Sequence, residues 1–79
     1  MMDAATVTAL LEAHLEGCQI QVEGAGNRYE ITVIGDVFEG KSRIQRHQLV
    51  YAALGDRMRE EIHALSMRTL TPAEWQDNG

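Results

Sequence analysis

Two short runs of strictly alternating residues constrain this chain most. Cys18, Ile20 and Val22 alternate with Gln19, Gln21 and Glu23, and Tyr29, Ile31 and Val33 alternate with Glu30 and Thr32. A period of two puts successive side chains on opposite faces of an extended strand, so each run is a half-buried strand. Between them stands Gly24-Ala25-Gly26-Asn27. Glycine and asparagine tolerate positive φ, so this segment is turn chemistry and the strands pair antiparallel as a hairpin. Ile34 breaks the alternation and is expected near the strand's end.

Helical spacing supplies what covers the hairpin's apolar side. Val7, Leu10, Leu11, His14 and Leu15 follow a 3.6-residue period, with Asp3 placed to cap the start and Gly17 to end the helix. After a loop at residues 35–40 that carries one large apolar residue, Phe38, Ser42-Arg43-Ile44-Gln45 is a capping box and predicts a second helix. Its inner face is expected to carry Ile44, His47 and Tyr51, with a break at Gly55. Val50, Leu54, Met58 and Ile62 continue at intervals of four and predict a further helical piece ending near Glu61. Residues 64–70 read as a third strand. Thr71-Pro72-Ala73-Glu74 is another capping box, with proline at the first helical position, where its missing N–H costs nothing. A brief helix anchored by Trp75 closes the chain. The expectation is an α+β fold in the order α-β-β-α-α-β-α, with helices packed on one face of a three-stranded sheet. His47, Phe38, Tyr51 and Trp75 are expected to be structural.

Size and charge narrow the function. Seventy-nine residues suit a single domain over residues 1–79. No apolar run approaches the length of a membrane span, and no secretory signal is visible at the start. One cysteine forms no internal disulfide, so a reducing compartment, the cytoplasm, is expected. The formal net charge is −5, unevenly spread. Residues 1–40 hold seven acids against one base, and residues 41–79 hold six bases against five acids. This sign opposes a strong phosphate binder. The cluster Lys41, Arg43 and Arg46 at a helix start keeps weak DNA binding as a candidate, set against the plainer reading of a solvated basic face.

Catalytic signals are missing. There is no nucleophile elbow and no phosphate loop, and Gly24-Ala25-Gly26 lies in a hairpin rather than between a strand and a helix. The chain reads as a non-enzyme. Metal ligands are sparse: Cys18, His14, His47 and His63 follow none of the spacings of a closed site. His63 is the best candidate for a site completed by a second protein, against the plainer reading of a hydrogen-bonded structural histidine. Cys18 is expected to be buried and inert.

Two blocks carry a resemblance. Phe38-Glu39-Gly40, followed by Arg46-His47-Gln48-Leu49-Val50-Tyr51, is similar to the F-[DE]-G and R-H-[RQ]-x-V-Y pattern of the BolA family. Ile62-His63-Ala64-Leu65-Ser66-Met67-Arg68, followed by Thr71-Pro72-Ala73-Glu74-Trp75, resembles that family's ending. The glycine hairpin and the T-P-A-E-W close look most like its bacterial IbaG-type branch. The resemblance implies a fold similar to class II KH domains. It also implies a partner, a monothiol glutaredoxin, and a glutathione-bound [2Fe–2S] cluster shared with it, in iron–sulfur trafficking or iron and stress regulation. Some members of the family are described as DNA-binding regulators. The family's constant cluster ligand maps to His63. Its second ligand, a cysteine or histidine between the first two strands, falls near Arg28, which stays protonated and does not ligate a metal. The G-x-x-G loop of RNA-binding KH domains is also missing, since Ala52-Ala53-Leu54-Gly55 has one glycine only.

Overall fold

A computed structural model describes residues 3–25, 28–59 and 64–78. Helix α1, Ala4–His14, starts where Asp3 accepts from the Thr6 amide at 2.8 Å, and Gly17 follows its end at φ 76°. Strands β1, Gln19–Ala25, and β2, Arg28–Ile34, pair antiparallel with Ile20 opposite Val33 and Val22 opposite Ile31. A 3-10 turn, Asp36–Phe38, drives the Phe38 ring into the core. Helix α2, Arg43–Leu54, opens on the expected capping box: Ser42 Oγ accepts from the Gln45 amide, and Gln45 Oε1 accepts from the Ser42 amide. It stops at Gly55, whose φ of 63° favours glycine. The helical piece expected beyond Gly55 is a 3-10 turn, Gly55–Met58, in the described residues; residues 60–63 of that piece lie outside them.

Strand β3, Leu65–Leu70, then runs parallel to β2, with Leu65 opposite Tyr29 and Leu70 opposite Ile34. The crossover through α2 makes that parallel pairing possible. Helix α3, Pro72–Asn78, opens on the second capping box, with the Thr71 amide donating to Glu74 Oε1 at 2.8 Å and the Glu74 amide to Thr71 Oγ1 at 3.2 Å.

Among the described residues the three strands form one sheet in the order β1-β2-β3. One sheet face carries Ile20, Val22, Tyr29, Ile31 and Val33, and it meets Val7, Leu11 and Leu15 near α1 and Val50, Ala53 and Leu54 near α2. The far end of the other face holds the row Gln19, Ile34 and Leu70. There Ile34 is buried, and half-buried Trp75 shares a shallow cleft with Gln19, Ile34 and Gly35. No described helix is long and apolar enough to cross a membrane.

The inner face of α2 differs from the expected one. Ile44 is 71% exposed and Tyr51 38%, whereas Val50, Ala53 and Leu54 are buried. Two apolar stripes share this helix, and the core takes the one that includes Leu54. Tyr51 is therefore a surface residue, while Phe38 holds the structural place expected of it.

Candidate functional site

The register fixes which sequence positions come near the hairpin end of the sheet. Arg28 is the first residue of β2 and is exposed. Its neighbour Tyr29 pairs with Leu65, where the chain enters β3. His63 stands two positions before Leu65 in sequence, and it lies outside the described residues.

The other described candidate ligands assemble no metal site. Cys18 precedes β1 at the opposite end of the sheet, where its sulfur packs against Gly35 so closely that a Cβ at Gly35 would collide with it. Burial, helped by the Asp36 carboxylate, raises the thiol pKa and keeps the sulfur protonated. His14 is exposed, and its Nδ1–H donates to the Leu10 carbonyl at 3.0 Å. Among the described residues no group of three or more histidine, cysteine or acidic side chains could hold a metal ion. The described part of the chain therefore closes no metal site by itself.

A second region, between the start of α2 and β3, gathers the basic residues. A cleft of about 470 Å³ is lined by Lys41, Arg43, Arg46, His47, Met67 and Arg68, among others. Lys41, Arg43 and Arg68 are exposed. His47 is half-buried, and desolvation first, then the Arg43 charge, pushes its pKa below the usual histidine value. His47 thus lines a cleft rather than filling the core.

Arg46 departs from its expected place in a phosphate-binding cluster. Its guanidinium is spent inside the fold. Nη1 donates to Glu74 Oε1 at 2.7 Å and to the Thr69 carbonyl at 3.2 Å, and Nη2 reaches Glu74 Oε2 at 3.3 Å. Nε donates to the Lys41 carbonyl at 2.9 Å, and the guanidinium carbon lies 5.9 Å from the Phe38 ring centroid. The hydrogen bonds that Arg46 donates to Glu74 raise the Arg46 pKa and lower that of Glu74. A single side chain thus ties the start of α2 to the end of β3 and the start of α3. The basic cluster that remains free is Lys41 and Arg43 with Arg68, a residue that sequence reasoning missed. Arg68 alternates outward on β3 and lies 5.9 Å over the Trp75 ring. The second role of Glu74 was also missed: its capping-box signature marks the helix start but not the distant arginine.

The chain matches the family model described as BolA-like protein over residues 4–74. It is similar to BolA-like protein 1 of Bos taurus, at 40% identity over 55 residues, which covers 70% of this chain and 41% of that protein. The chain thus spans about two fifths of the length of the mammalian relatives it matches. Protein BOLA2 of Arabidopsis thaliana is 40% identical over 76 residues, 95% of this chain and 80% of that one. The acid stress protein IbaG of Escherichia coli strain K12 is 36% identical over 58 residues, 72% of this chain and 69% of that one. Among solved structures, a bolA protein homologue from Coxiella burnetii superposes with a TM-score of 0.82 at 38% identity, covering 96% of this chain and 99% of that one. The BolA domain of SufE1 from Arabidopsis thaliana gives 0.73 at 32% identity, covering 90% and 93%. Yeast Fra2 gives 0.74 at 29% identity, covering 94% and 84%.

Proposed function

The chain belongs to the BolA-like protein family, and from that premise we propose that it is a non-catalytic adaptor. It docks a monothiol glutaredoxin and helps hold or pass on a glutathione-bound [2Fe–2S] cluster. Similarity to BOLA2 and to the folds of Fra2 and the SufE1 BolA domain is consistent with an iron–sulfur-related role.

The observation that carries the reading is the Ile62-His63-Ala64 block ahead of β3, which enters the sheet at its hairpin end. His63 supplies a neutral imidazole to one iron. Replacing a thiolate by imidazole raises a cluster's reduction potential and favours its release or reduction. Arg28 stands where relatives are expected to offer a second ligand, and its guanidinium has no lone pair to give. The remaining ligands come from the partner and glutathione, and the cluster is correspondingly labile.

The test mixes the purified chain with a monothiol glutaredoxin, glutathione, iron and sulfide, and records visible absorption and circular dichroism. A spectrum distinct from that of the glutaredoxin homodimer supports the adaptor. A spectrum identical to the homodimer's at saturating chain overturns it.

A further inference from the structure

The free edge of β3 stands apart from the proposed cluster role and does not depend on it. The Gly35 amide donates to the Leu70 carbonyl at 2.9 Å, on the side of β2, whereas the Thr69 carbonyl points away from β2 to Arg46. Backbone groups alternate sides along a strand, so the N–H and C=O of Met67 share the outward direction of Thr69. Among the described residues nothing pairs with them. An outer strand with unpaired backbone groups is a template for another strand.

Charge says what kind of strand fits. Lys41, Arg43 and Arg68 converge on the cleft beside Met67. The ion pairs among the described residues are Arg46 with Glu74 and Arg59 with Asp56, so these three cations have no carboxylate partner there. Glu74 also lines the cleft, but Arg46 holds its carboxylate on both oxygens. Glu23 and Glu30 line an adjoining hollow that Arg43 and Arg68 also border, but neither glutamate forms an ion pair with them. A chain of net charge −5 thus keeps three cations without a direct ion-pair partner among the described residues, beside an open strand edge. The cleft offers no Phe, Tyr or Trp face for stacking bases, and its one imidazole, His47, is half-buried, which favours a peptide over a single-stranded nucleic acid.

We propose that this groove takes an extended acidic segment of a partner protein, which adds a short strand to β3 and sets its carboxylates against Lys41, Arg43 and Arg68. Backbone pairing at Met67 gives affinity, and the three cations give the preference for acidic side chains. Arg46 ends the added strand by occupying the Thr69 carbonyl.

The probe is a blocked peptide alternating glutamate and valine, titrated into the nitrogen-15-labelled full chain. The resonances of Met67 and Arg68 move, and exchange of the Met67 amide hydrogen slows. Lys41→Glu with Arg43→Glu weakens binding about tenfold or more. Lys41→Gln with Arg43→Gln weakens it less and serves as the folded reference if charge reversal disturbs the chain. The same peptide with N-methylated backbone amides loses binding. The proposal is overturned if the Met67 amide is unmoved, if the N-methylated peptide binds equally well, or if oligothymidylate binds the groove more tightly than the peptide.

Discussion

Removing the Arg46 guanidinium should destabilise the fold, although the residue sits in what reads as a surface cluster. The substitution of choice is Arg46→Met, which keeps most of the side-chain stem and deletes the charge and its donors. The Arg46 side chain is only 14% exposed, so its bonds are shielded from water. Two go to backbone carbonyls, Lys41 at 2.9 Å and Thr69 at 3.2 Å. Each such bond contributes about 1 kcal/mol net, and the cation over Phe38 adds about 0.5 kcal/mol. The pair with Glu74 contributes little more, because that carboxylate is 44% exposed and rehydrates when the arginine leaves. The expected loss is about 2–3 kcal/mol, or a fall in Tm of about 8–24 °C for a domain of this size. Thermal unfolding followed by far-ultraviolet circular dichroism reads it, with a urea titration to check that the slope is unchanged. A melting temperature within about 2 °C of wild type would refute the reasoning and return Arg46 to the free cations.

Gly35→Ala should cost about 1–3 kcal/mol, because its Cβ would run into the Cys18 side chain. Cys18→Ala in the same chain should recover part of that loss in urea unfolding. Glu74 has its pKa lowered in the fold, first by the Arg46 hydrogen bond and then by the Thr71 amide. Its stabilisation is therefore full above the ordinary carboxylate range and fades as pH falls through the lower folded value, so Glu74→Gln should flatten the acid limb of the stability curve. Trp75 is half-buried, so Trp75→Ala should cost about 1–2 kcal/mol, less than a fully buried tryptophan, and native emission should lie to the blue of a hydrated indole.

The parts of this fold that are legible in sequence are those written within a few residues. Asp3, Ser42 with Gln45, and Thr71 with Glu74 each announce a helix start through a bond spanning three positions. The alternation around the hairpin gives both the strands and their buried face. What is illegible depends on distant partners. Nothing near residue 65 says that β3 runs parallel to β2 or takes an outer place. Ile44 and Tyr51 obey helical spacing as well as Val50 and Leu54 do, and only packing against Phe38 and the sheet decides between the stripes. Arg46 and Glu74 lie 28 residues apart, so an arginine read as a phosphate ligand proves to be a brace. The same brace gives the two sequence blocks a physical sense, since it joins Phe38 and Arg46 of one to Glu74 of the other.

The measurement that bears most directly on the adaptor reading compares wild type and His63→Ala, each mixed with the same monothiol glutaredoxin, glutathione, iron and sulfide. Docking of the cluster-free proteins is read in parallel by calorimetry. Docking should persist in His63→Ala, while the visible dichroism of the mixture should move to that of the glutaredoxin homodimer. Identical spectra for wild type and His63→Ala in the loaded complex would contradict it.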